Sequence, residues 1–170
     1  MSAPLSVLQT AVVTKLKTLR LAGAERNLFD VVEGYSGQLE KKGEQELEDE
    51  VQRRGMLSAF VLVTPIGFNR DRAKFNEATR LDPEVIVLIA ASNLSDDTSA
   101  VLTGSANAPG LNDCMEAVSA ALEPSVAPGV HRLIGYHIQP VLLTKKVAIV
   151  AMIFHDRDKK PTTPNAAVGG

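Results

Sequence analysis

The chain has no tryptophan, one cysteine, and aromatics at only 4% of its 170 residues. The lone cysteine, Cys114, has no partner for an intrachain disulfide and cannot complete a Cys/His zinc set. It points to a reducing compartment or to indifference to redox. With so few aromatics, the core must be aliphatic. An excess of one charge is also missing. The net charge is −2, which gives no global attraction to nucleic acid or to an anionic membrane and leaves only local patches to consider. No apolar run approaches the roughly 20 residues that span a bilayer. The N-terminal segment lacks the basic-then-apolar order of a secretory signal. The expectation is a soluble chain, made in the cytoplasm, with no membrane partner.

Aliphatic material is plentiful: hydrophobic residues make up 45% of the chain, enough for the core of one domain. Leu5, Leu8, Val12, Leu16 and Leu19 recur at helical steps, with Pro4 in the first turn and Gly23 as a stop, which predicts a helix over 4–22. Residues 29–33 are short and β-prone, and the glycines at 34 and 37 end them in a turn. Residues 38–54 carry acid first and base last, the order that suits a helix dipole, with Leu47 and Val51 as the apolar stripe. They read as a surface helix or a loop.

Three runs read as strands: 60–63, 85–91 and 147–154. They are continuous rather than alternating, so both faces of the sheet need cover. Residues 66–82 read as a long hairpin arm or loop between the first two. Residues 95–110 read as a loop. Leu111, Met115, Val118 and Leu122 mark another helix. Residues 133–142 read as a strand, and Pro140 places it at an edge. Thr144, Lys145 and Lys146 turn the chain into the last strand. The whole is an α+β domain over 1–156, with a mostly antiparallel sheet and helices on one face. A flexible tail is expected over 157–170.

Catalytic and metal patterns fail one by one. Cys114 needs a histidine base such as His131 or His137, yet it lies beside the apolar stripe of a helix, where a free cysteine is usually a small hydrophobe. His131, His137 and His155 have no zinc spacing. The acidic run at 44–50 lacks the alternating ligands and central glycine of a calcium loop. The glycines at 34 and 37 lack the rest of a phosphate-cradling motif, and no nucleophile elbow occurs. No cofactor or metal site is read.

Charge remains as a guide to contacts. Arg70, Arg72, Lys74 and Arg80 form a basic cluster in the arm, and Glu46 and Glu50 belong to the acidic segment. These six are the candidate intersubunit contacts, set for register more than affinity.

The order of elements carries a resemblance. The N-terminal amphipathic helix leads to Phe29-Asp30-Val31-Val32-Glu33-Gly34-Tyr35. Strand 60–63 is followed by the arm and strand 85–91, and helix 111–122 precedes a hairpin closing at 147–154. This layout resembles the tail-terminator proteins of Mu-like contractile-tailed phages and, more loosely, the minor tail protein U family. The resemblance covers the chain to about residue 156 and rests on order and texture, not on a sharp motif.

It implies a structural protein and no enzyme. Such a chain forms a homo-oligomeric ring, hexameric in this family, on the last ring of the tail tube. The ring stops tube and sheath polymerisation. It offers a surface to the neck or head-completion proteins, and DNA passes through its lumen. The expected location is the head-proximal end of the virion tail, after assembly in host cytoplasm. A neck, head-completion or tube-like subunit fits nearly the same features. A small enzyme using Cys114 or a histidine, or a small-ligand module, is the alternative of another class.

Overall fold

The computed structural model describes residues 5–21, 25–40, 43–64, 84–92, 102–105, 108–123 and 133–156. Helix α1 spans Leu5–Lys17 and buries Leu8, Val12 and Leu16, which are four residues apart and so share one stripe. Burying each such side chain is worth about 1.5–3 kcal/mol. The helix stops five residues before the expected end. The Thr18 and Leu19 amides turn back to the Lys15 and Leu16 carbonyls at 3.1 and 3.2 Å, tightening the last turn. The chain then folds on itself, and Leu28 N donates to Leu19 O at 2.9 Å. Leu19, just past the helix, packs against the core.

Strand β1 is Val31–Gly34, helix α2 Glu44–Arg54 and strand β2 Leu57–Thr64. β1 and β2 are parallel neighbours, so α2 is the crossover that parallel strands require. The other pairs are antiparallel: β2 with β3 (Glu84–Ser92), β3 with β7 (Val147–Asp156), and β7 with β6 (Leu133–Leu143). The sheet order is β1-β2-β3-β7-β6. A small ladder, β4 (Gly104–Ser105) with β5 (Ala108–Pro109), lies in the stretch expected to be loop. It leads into α3, Leu111–Leu122.

The α+β expectation holds, with helices packed on a mostly antiparallel sheet. The helices are not confined to one face as the sequence suggested: among the described residues they divide two and one. α1 and α3 share the face that carries Val61, Val87, Ile89, Val150 and Phe154, and there the main core forms. α2 lies on the opposite face, where Val51 meets Phe60, Ala90, Val147 and Ile149. The continuous apolar runs are explained by this double cover: β2 is buried at six of its first seven positions because both of its faces are covered. The cover by α2 is partial. Leu62, Ile86 and Ile153 are register partners across three strands on the α2 face, and all three are only half-buried.

The start of β2 is held by Asp30. Its amide donates to Leu57 O at 2.8 Å, and its Oδ2 accepts from the amides of Met56 and Leu57 at 2.8 and 3.2 Å. The side chain thus supplies the carbonyl that the ladder lacks at its first rung. Gly55, with φ +126°, makes the approach possible, because a Cβ there would stand 2.8 Å from Asp30 Cβ and Oδ2. At the other end of β1, Gly34 leaves room for Gln9, whose Nε2 donates to Val61 O at 3.0 Å and ties α1 to the sheet.

Candidate functional site

Among the described residues the sheet ends on β6, which has a described neighbour on one side only. Such an edge cannot bury all its side chains, and this strand is apolar along most of its length. Ile138, Val141 and Leu143 are 51%, 55% and 55% exposed. Ile138 stands opposite Met152 and Leu143 opposite Ala148. Both partners belong to the main core, so Ile138 and Leu143 project on the face that carries α1 and α3. Leu142, opposite Ile149, turns to the α2 face and packs there.

The β6–β7 register slips between Gly135 and His137 and again between Pro140 and Leu142, which leaves Val141 outside the ladder. Two slips and a proline are devices that discourage a second strand from zipping onto an edge. What the strand offers is therefore its side chains more than its backbone.

The hairpin tip beside this row is basic and well anchored. Thr144 Oγ1 accepts from the Lys146 and Val147 amides at 3.2 and 3.0 Å, and Thr144 N donates to Val147 O at 2.8 Å. Lys145 and Lys146 are exposed on that turn.

On the opposite face, α2 presents an acidic ridge. Glu44, Glu46 and Asp49 are exposed, and Gln45 donates to Asp49 Oδ1 at 3.3 Å. The ridge is flanked by Tyr35, Leu39 and Leu47, which are half-buried against the small cluster. Burial and the nearby Glu40 carboxylate raise the Tyr35 hydroxyl, while a backbone hydrogen bond from the Leu39 position opposes them.

Of the six contact residues expected from sequence, Glu46 lies on this ridge. Glu50 does not. It is 8% exposed and bridges Arg53 and Arg54, with Arg54 Nε at 2.7 Å from its Oε1. Its carboxylate is engaged inside the chain, since the acid-to-base order that favours the helix also sets these residues three and four apart. Arg54 continues to Glu33 on β1 at 3.3 Å and lies 5.5 Å over the Phe60 ring, fastening the end of α2 to the sheet. Arg70, Arg72, Lys74 and Arg80, the arm over 66–82 and the tail over 157–170 lie outside the described residues.

Cys114 is 0% exposed, and its thiol is pushed up to about 12 by burial, with Asp113 adding to the effect. At neutral pH it is a protonated hydrophobe in the α3 interface, and it offers no thiolate. His137 is exposed on β6, and His155 lies 3.4 Å from Glu84 Oε2 across β3 and β7. His131 is outside the described residues. Among the described residues no group of three or more His, Cys, Asp or Glu is arranged to hold a metal, and no helix is long and apolar enough to cross a membrane.

Sequence reasoning identified the edge through Pro140 and the turn through its lysines. It did not single out Ile138, Val141, Leu143, Lys145 and Lys146 as one surface. The available signal was an apolar strand at an edge, where part of the apolar content must face outward. The chain matches no protein-family model, no curated protein and no solved structure.

Proposed function

We propose that this chain is a structural subunit of a contractile phage tail, a terminator that closes as a ring on the last ring of the tail tube. In this reading it stops tube and sheath polymerisation and presents its other side to the neck proteins, with DNA passing through the lumen. The observation that carries the assembly role is the β6 edge, where exposed Ile138, Val141 and Leu143 lie beside a lysine-bearing turn. Contiguous exposed apolar residues rimmed by polar ones mark contact surfaces. The choice of terminator among assembly subunits comes from the order of elements along the chain and its likeness to that of Mu-like tail terminators.

Two properties support a ring over a symmetric dimer. The β6 edge and the α2 ridge are different surfaces on opposite faces, and unlike surfaces that meet head to tail generate closed rings or filaments. The sheet is also held from both sides, which gives a ring of such subunits a rigid wall.

The test is deletion of the gene from its phage, followed by negative-stain electron microscopy of the lysate. Tails of excessive and variable length are expected. Tails of normal length detached from filled heads would make the chain a neck or joining protein instead. Normal infectious particles would refute the assembly reading.

A further inference from the structure

We infer that the β6–β7 hairpin of one copy docks on the α2 face of a second copy, with Lys145 and Lys146 meeting the acidic ridge of Glu44, Glu46 and Asp49. The inference rests on the assembly reading and gives it a specific interface. Its basis is charge complementarity between two surfaces of one chain. The turn presents two exposed lysines and the helix three exposed carboxylates, and none of the five forms a salt bridge among the described residues.

The apolar parts correspond as well. Val141 and Leu143 lie at the end of β6, four and two residues before Lys145. The carboxylates of α2 are flanked by half-buried Tyr35, Leu39 and Leu47, with Met56 exposed just past the helix. Each surface is thus an apolar strip beside charge, with opposite signs on the two. Neither matches itself: hairpin against hairpin sets lysine against lysine, and helix against helix sets carboxylate against carboxylate. Self-pairing is disfavoured, and hairpin-to-helix pairing is the arrangement left.

Geometry favours the same outcome. The Thr144 hydrogen bonds hold the turn in place, so docking it costs little ordering entropy. The two register slips and Pro140 oppose continuation of the sheet into a neighbour, so side-chain docking is preferred to strand addition.

The test is sedimentation equilibrium of the purified full chain at roughly 100 µM, where a contact with a Kd of about 10 µM is mostly occupied. The wild type is expected above the monomer mass of 18.2 kDa. Lys145→Glu with Lys146→Glu is expected to weaken association at least about tenfold, as is Leu143→Asp. All these positions are exposed, so circular dichroism and melting should match wild type. Adding Glu46→Lys with Asp49→Lys to the double lysine variant should restore association. Persistent association of the hairpin variants, or no rescue by the charge swap, would overturn this interface while leaving the terminator reading intact. A wild-type monomer at that concentration would overturn it too. Tail length in the deletion phage decides the terminator reading independently.

Discussion

Removing the Asp30 carboxylate tests how the first parallel rung of the sheet is made. Asp30 Oδ2 accepts two backbone amides, from Met56 and Leu57, and Oδ1 lies 3.3 Å from the Arg26 guanidinium. Hydrogen bonds to a charged acceptor contribute about 1.5–3 kcal/mol each. Met56 is exposed and water replaces its bond in the variant, so its share falls at or below the low end. The Leu57 bond is part-buried, so water replaces it less well. The Arg26 pair is exposed on the arginine side and adds about 0–1 kcal/mol. Asp30→Ala should therefore cost about 2–4 kcal/mol.

Asp30→Asn retains an acceptor oxygen at the same place and loses only charge, so it should cost about 1 kcal/mol. Gly55→Ala places a Cβ against Asp30 and strains a left-handed φ, at about 1–3 kcal/mol from the backbone alone. Because the two residues form one clip, the double variant should be milder than the sum of the singles by about 1–2 kcal/mol. Urea titration followed by far-UV circular dichroism measures all four. The reasoning fails if Asp30→Ala stays within about 0.5 kcal/mol of wild type, if Asp30→Asn equals it, or if the double variant is additive.

Four further outcomes are expected. Leu16→Ala should destabilise by about 2–5 kcal/mol in the same titration, because Leu16 is buried between α1 and the sheet with little room to collapse. Cys114 should resist iodoacetamide at pH 8 in the folded chain and react once urea unfolds it. Since its folded pKa is raised from 9.0 to about 12, the unfolded chain gives up this proton first; stability should decline as pH climbs from about 9 towards 12, and Cys114→Ala should flatten that decline. On the proposed tail-subunit reading, reversing Arg70 and Arg72 to Glu should lower assembly and infectivity; unchanged plaque counts would remove these two arginines from the account of assembly.

The residues that were legible in sequence are those whose behaviour is local. Leu8, Val12 and Leu16 carry the helical step and are buried as that step requires. Residues 38–54, with acid before base, read as a surface helix or a loop, and Glu44–Arg54 of them form α2. Pro140 signalled an edge strand, and β6 is one among the described strands. Strands β2, β3 and β7 followed from their aliphatic runs, because such runs are stable only with both faces covered.

What the sequence did not reveal depends on contacts between distant segments. The helix ended at Lys17 because the returning chain at Leu28 captured Leu19, a competition that periodicity does not register. The acidic segment gave no sign that Glu50 would turn inward to two arginines while Glu46 stayed outside. Nor did residues 133–143 show which of their apolar side chains would be left uncovered. Composition determined an aliphatic chain with little net charge, and the order of local patterns an α+β class. Only the tertiary structure decided that α2 crosses to the second face and that Ile138, Val141 and Leu143 line an open edge beside two lysines. The physical reason is that period and propensity act within a few residues. Which face a helix covers, and which strand is left without a neighbour, follow from pairings such as Ser58 with Ala90 and Ala91 with Ala148, made by segments far apart in the chain.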